Sequence, residues 1–173
     1  MLLTKYFVKI LATVTLVTLI LDCSDNEAVI AEKATAKAQA IMLDVYKSPT
    51  CGCCKEWNSH IDDNSFQSKA HNQNDISIIK EKHGIEPCYR SCHTAISNDG
   101  YAFEGHVLAK IIQQFLQEQH SDDVIGLSVL TMSLGSLGME VDDKFHPYKV
   151  LSLKTDGSDE VYASVQTSQE QFE

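Results

Sequence analysis

Three cysteines within four residues, Cys51, Cys53 and Cys54, have the strongest potential for chemistry in this chain. They form a C-x-x-C pair and a C-x-C pair, which are typical of thiol redox chemistry and of soft-metal binding. The residues after them have helical character, so the thiols are predicted to lie at a helix N-terminus. Free N–H groups and the helix dipole there favour the thiolate. The alternative is a structural disulfide with one spare cysteine.

A second thiol group follows at Cys88 and Cys92, with His93 beside it. Their spacing would place both cysteines on one face of a helical turn. Cys88 is equally consistent with a surface thiol or with a disulfide to Cys92, and Cys92 with a small buried hydrophobic residue. His93 and His106 are candidate metal ligands, with a structural hydrogen-bonding role as the alternative for each.

Two methionines, Met132 and Met139, lie in a glycine-rich segment of residues 126–139. Thioether sulfur is a soft ligand that suits Cu(I), although a lone methionine more often fills a core. The segment has no strong periodicity, so it is predicted to be a loop that folds over the thiols.

The hydrophobic pattern predicts alternating strands and helices along the body of the chain. The order is strand, helix, strand, helix, strand, strand, helix, over residues 42–46, 53–64, 66–71, 75–83, 93–97, 101–105 and 108–120, with further strands near 148–153 and 160–165. This order predicts an α/β thioredoxin-like sandwich with the C-x-C-C motif at the start of the first helix. A ferredoxin-like arrangement is the alternative. In a thioredoxin-like fold Cys92 would face residues 51–54.

The first 40 residues are predicted to be an export signal and tether, and residues 41–173 the metal-binding domain. Lys5 and Lys9 precede an apolar run at residues 10–21, which is short for a membrane span. Cleavage near residues 36–40 is favoured, and an uncleaved N-terminal membrane anchor is the alternative. The formal net charge of −10 argues against a nucleic-acid partner. No phosphate loop, Ser/His/Asp set or H-E-x-x-H motif occurs, so nothing favours a hydrolase.

Four ordered motifs resemble the CopG-like family, a bacterial family of unknown function associated with resistance to copper and other metals. They are YKSPTCGCCKEW (46–57), SCHTA (91–95), EGHV (104–107) and GSLGME (135–140), within about residues 43–161. The resemblance implies a thioredoxin-like fold, a periplasmic location, and copper bound by the C-x-C-C cysteines together with Cys92. The family usually has prolines where this chain has Leu108, Leu130, Ser133 and Leu137, which predicts a more mobile loop around Met132. Cys88 is an addition to the family pattern.

Together these features predict an exported Cu(I)-binding protein of a copper handling or resistance pathway. More than one Cu(I) ion would be bound by Cys51, Cys53, Cys54 and Cys92, and another copper-handling protein would be the partner. The alternative is an enzyme, a thiol-disulfide oxidoreductase, copper-linked or not, that uses Cys51 and Cys54 with Cys92 as the resolving thiol. The enzyme is the less favoured function because Cys53 would compete for the disulfide.

Overall fold

A computed structural model describes residues 40–130 and 132–172. The predicted export signal and tether, apart from residue 40, lie outside the described residues. Among the residues that are described, no helix has the length and apolar character needed to cross a membrane.

The protein is a mixed α/β fold whose seven strands form one sheet. The elements in chain order are β1 (Ile41–Lys47), α1 (Gly52–Asp63), β2 (Phe66–Asn72), α2 (Ser77–Lys82), β3 (His93–Ser97), β4 (Ala102–Glu104), α3 (Ala109–Gln117), β5 (Val124–Ser128), β6 (Tyr148–Lys154) and β7 (Asp159–Val165). Two short 3₁₀ turns, Pro87–Tyr89 and Gln169–Gln171, complete the described structure.

The strand order in the sheet is β2-β1-β3-β4-β5-β6-β7. Strand β1 runs parallel to β2, and β4 runs parallel to β5, while the other neighbours are antiparallel. Strands β3 and β4 form a hairpin around Gly100, as the turn-forming Asp99-Gly100 step predicts from the sequence, and the φ of 89° at Gly100 suits a tight turn. Because β1 and β3 are neighbours, the loop after β1 and the loop before β3 meet at the same end of the sheet.

Helices α1 and α3 cover one face of the sheet. Trp57 and Ile61 of α1 and Phe115 of α3 pack in one buried cluster with alternate strand residues such as Ala95 and Phe103. The intervening strand residues Ile96 and Ala102 point to the other face, where they pack with Ile85, Leu151 and Leu153. The spacing of the buried α1 residues, three and four positions apart, explains why this segment forms an amphipathic helix.

Strand β5 is a correction to the sequence analysis, which assigned the chain from Gly126 to a loop. A glycine usually weakens a strand, but here Gly126 lies against the backbone of Ala102 in β4. A Cβ at Gly126 would collide with the Ala102 carbonyl oxygen, and its φ of 146° also favours glycine. The residue that looked like a strand breaker is therefore required for β4 and β5 to pair.

Two local predictions around the second helix were also wrong. Helix α2 spans Ser77–Lys82 with Ile76 as its N-cap, whereas the sequence pattern predicted a helix over residues 75–83. Asp75 lies outside the helix, and its carboxylate accepts the Ser77 N–H at 2.8 Å. The chain after it forms a helical turn only over Pro87–Tyr89, because Arg90 is already extended. Cys88 and Cys92 therefore do not share a helical face.

Candidate metal centre

The C-x-C-C motif lies at the start of α1. Cys51 is the N-cap of the helix, and its sulfur accepts a hydrogen bond from the Cys54 backbone N–H at 3.3 Å. This contact meets one of the N–H groups that a helix start leaves without a partner. Cys51 and Cys54 form a disulfide, with their Cα atoms 5.4 Å apart. The thiol of Cys53 remains free and lies 3.6 Å from the Cys51 sulfur.

Cys92 brings a fourth sulfur to this motif from a distant part of the sequence. The sulfurs of Cys51, Cys53, Cys54 and Cys92 all lie within 4.8 Å of one another, and we call them the sulfur cluster. Cys54 is fully buried, and the other three cysteines are half-buried. The two segments meet because the cluster forms where β1 ends and β3 begins, on neighbouring strands.

Two buried histidines extend the cluster on the side of Cys92. The Cys92 sulfur lies 3.6 Å from His93 Nδ1 and 3.7 Å from His106 Nε2. The Nδ1–H of His106 donates to the Leu137 carbonyl at 2.6 Å, which leaves the Nε2 lone pair of the neutral ring facing Cys92. A histidine whose other nitrogen is fixed by a carbonyl in this way is oriented as metal-ligating histidines are.

Burial keeps both imidazoles neutral. It lowers the pKa of His106 and places the pKa of His93 well below the ordinary histidine value, with the nearby His106 adding to the effect on His93. Neutral imidazole is the form that binds metal. The ring of Trp57 packs 4.3 Å from the His93 ring, and the Trp57 indole N–H donates to the Val107 carbonyl at 2.8 Å. The Nε2 atom of His93 is buried without a hydrogen-bond partner.

Cys92 is protonated, whereas an activated cysteine is a thiolate. Burial raises its pKa to about 11, and the neighbouring Cys53 sulfur contributes to the increase. Since the thiolate is the disfavoured form below that pH, Cys92 is a neutral thiol at pH 7 while Cys51 and Cys54 are disulfide-bonded.

We therefore expect slow alkylation of Cys92 in the disulfide-bonded protein. Its iodoacetamide rate should rise about tenfold per pH unit up to about 11, because the thiolate is the nucleophile. Trypsin separates Cys92 from the exposed Cys88 by cleaving after Arg90, so mass spectrometry can follow both thiols in one sample. A Cys92 rate that levels off near ~8.5, the value of an unperturbed thiol, would contradict this prediction.

A buried ion pair supports the backbone just before Cys92. Glu104 is fully buried and pairs with the Lys80 ammonium, which is itself only 4% exposed. The Glu104 carboxylate also accepts the Ser91 backbone N–H and, at 2.6 Å, the Thr94 hydroxyl. These contacts fix the turn that delivers Cys92 to the sulfur cluster. Sequence analysis missed both charged residues, because a charge on a short helix or strand normally points to solvent.

The comparisons with known proteins bear on this site. Residues 89–139 match the family model described as "Protein of unknown function, DUF411". The solved structure titled "Copper resistance protein copG- Form 1" is 34% identical, with a TM-score of 0.66, and the alignment covers 73% of this chain and 98% of that one. The chain belongs to the CopG-like family. A second structure, "Copper resistance protein copG- Form 2", is 36% identical over 72% of this chain and 98% of that one, with a TM-score of 0.65. No curated protein matches.

Within this CopG-like protein, the glycine-rich segment supplies one more sulfur. Met132 is 44% exposed, and its Sδ accepts the Cys53 thiol at 3.6 Å. Met139 lies at the other end of the loop, where its backbone N–H and carbonyl bond within the loop to Ser136 and Gly135. Cys88 is an exposed free thiol on the 3₁₀ turn, and Cys92 is free as well. Of the candidate ligands outside the four cysteines, His93, His106 and Met132 thus contact the sulfur cluster.

Proposed function

We propose that this CopG-like protein is an exported Cu(I)-binding protein of thioredoxin-like fold that serves copper handling or resistance. The observation that carries the proposal is the sulfur cluster, in which two segments distant in sequence bring four sulfurs within 4.8 Å. Similarity to a copper resistance protein supports copper as the cargo. The order of the first seven strands and helices, from β1 to α3, supports the thioredoxin-like assignment.

The donor set fits a soft metal. Thiolate and thioether sulfur select Cu(I) over harder ions, and the cluster offers four cysteines with Met132 beside Cys53. His106 adds a neutral imidazole on the other side of Cys92. Because Cu(I) is satisfied by two or three such ligands, this set can hold more than one ion.

Binding by all four cysteines requires reduction of the disulfide. Two electrons and two protons convert the Cys51–Cys54 disulfide into two thiols, so the fully competent form has four thiols in place of two. Each thiol that ligates copper must then lose its proton. Because burial raises the pKa of Cys92, its coordination should release a proton and become more favourable as the pH increases.

Metal quantification tests the proposal. Protein purified anaerobically under reducing conditions and loaded with Cu(I) is expected to retain more than one copper ion per chain after desalting. The same protein kept in the disulfide form should retain fewer, since Cys51 and Cys54 cannot ligate. The Cys88→Ser variant serves as the matched control and should behave as wild type, because Cys88 is exposed and outside the cluster. Equal retention by both redox forms would contradict the proposal.

The proposal includes a periplasmic location and a hand-over step. Residues 1–40 would act as an export signal and tether for the binding domain of residues 41–173, with membrane contact only through that segment if it stays uncleaved. Transfer to another copper-handling protein would begin at Met132, because this thioether is both exposed and in contact with Cys53.

A second function, thiol-disulfide oxidoreductase, is favoured by one observation. The Cys51–Cys54 disulfide lies at a helix start with the Cys92 sulfur close enough to act as a resolving thiol. Insulin reduction that disappears in Cys54→Ser and is indifferent to copper would favour this function over copper binding.

A further inference from the structure

The C-terminal turn Gln169–Gln171 places one polar side chain deep in the protein. Gln171 is only 2% exposed, whereas Gln169 beside it points to solvent. A buried carboxamide is costly unless its hydrogen bonds are satisfied. Here they are: its Oε1 accepts the Leu137 N–H at 3.0 Å and the Tyr148 hydroxyl at 3.3 Å, and its Nε2 donates to the Gly135 carbonyl at 2.9 Å.

These hydrogen bonds fix the glycine-rich loop around Leu137, which is the part of that loop that touches the candidate metal centre. Leu137 is held at both ends of its backbone: its N–H is bound by Gln171, and its carbonyl accepts His106 Nδ1–H. Gln171 therefore sets the position of Leu137. Leu137 in turn determines the orientation of His106 and which of its ring nitrogens faces Cys92. Leu137 thus connects the C-terminal turn directly to His106.

The same loop has no proline to stiffen it between Met132 and Met139. Its turn is closed by main-chain hydrogen bonds, from Gly135 N–H to the Met139 carbonyl at 2.9 Å and from Met139 N–H to the Ser136 carbonyl at 2.7 Å. Gln171 adds bonds to Gly135 and Leu137 from outside the loop. Gln171 thus anchors the loop from outside, together with the His146 N–H, which donates to the Leu134 carbonyl at 2.8 Å.

We infer that Gln171 is a positioning residue of the metal centre, which holds the loop of residues 132–139 so that His106 presents Nε2 to Cys92 and Met132 stays against Cys53. The inference rests on the proposed function for what copper does there. The orientation and tautomer of His106 belong to the metal-free protein, so they can be measured even if the proposed function fails.

The test compares Gln171→Met, which removes all three hydrogen bonds, with Gln171→Glu, which keeps the oxygen that accepts from Leu137. Gln169→Met is the matched control on the same turn. In the reduced metal-free protein, ¹⁵N NMR of the His106 ring, assigned with a His106→Gln sample, should show one tautomer protonated at Nδ1 for wild type and the control. Gln171→Met should show a mixture of tautomers. Gln171→Glu keeps an acceptor for the Leu137 N–H but sets a carboxylate oxygen against the Gly135 carbonyl, so it should fall between Gln171→Met and wild type.

A second readout is the rate at which a soft chelator removes Cu(I) from the loaded protein. It should increase about tenfold in Gln171→Met and stay unchanged in Gln169→Met, as expected when an outer contact of a ligand is lost. A wild-type His106 tautomer in folded Gln171→Met would overturn the inference. Failure of both Gln171 variants to fold would also overturn it, since Gln171 would then serve general stability. If Gln171→Met alters the His106 tautomer but leaves the Cu(I) removal rate unchanged, the positioning of His106 stands and only its effect on copper binding is contradicted.

Discussion

Replacement of Cys92 by serine is expected to weaken Cu(I) binding by more than about 100-fold. Loss of an outer-shell partner already costs 10- to 100-fold in metal affinity, and in the proposed function Cys92 is a direct ligand. Its sulfur is the only member of the cluster, among the described residues, that comes from outside residues 51–54, and serine offers a hard oxygen in its place. Titration of the reduced protein with Cu(I) against a competing chelator measures the affinity.

Cys88→Ser is the control for that titration. It removes a thiol four residues away that is exposed and does not belong to the cluster, so its affinity should equal that of wild type. If Cys92→Ser binds as many ions as tightly as wild type, the two-segment site does not exist. If Cys88→Ser and Cys92→Ser lose affinity equally, the exposed thiol contributes and the ligand set must be redrawn.

The second large effect concerns stability. Lys80→Met is expected to lower the free energy of unfolding by about 3–5 kcal/mol, because it leaves the fully buried Glu104 carboxylate without its cation. Urea denaturation at neutral pH measures the change. Lys82→Met, on the same helix but exposed, should change the free energy by less than about 0.5 kcal/mol.

The pH dependence of this effect has a defined sign. Burial already raises the pKa of Glu104, and the Lys80 ammonium opposes that rise. Without Lys80 the folded-state pKa increases further above the unfolded value, so the native state of the variant takes up a proton more readily. The destabilisation should therefore be largest above the raised pKa and shrink as the pH falls through it. A loss of stability that is constant from neutral to acidic pH would contradict a role for the unpaired carboxylate.

Elements that depend on residues close together in the sequence were predicted correctly. The apolar spacing after the C-x-C-C motif predicted α1, and Asp99-Gly100 predicted the β3–β4 hairpin, both of which are present. The family assignment was also correct, because four short motifs occur in the right order. Strand β5 was missed because the need for Gly126 arises from a neighbouring strand, Ala102 of β4, which no local pattern reveals.

The sequence predicted which cysteines come together, but it did not predict the residues that hold them in place. Three cysteines within four residues are visible in the sequence, and the contact of Cys92 with residues 51–54 followed from the predicted strand order. The residues that hold these cysteines in place carry no such signal. Glu104 and Lys80 look like surface charges, and Gln171 looks like one polar residue in a polar C-terminus. Their burial depends on tertiary packing.

X-ray absorption at the copper edge of the reduced, Cu(I)-loaded protein identifies the atoms bound to the metal, and so tests whether the sulfur cluster binds Cu(I). We expect two or three ligands per copper with sulfur as the dominant neighbour, and copper–copper scattering if more than one ion shares the sulfur cluster. A first shell made only of nitrogen and oxygen would contradict this expectation, since the cysteines of residues 51–54 and Cys92 would then not be the ligands.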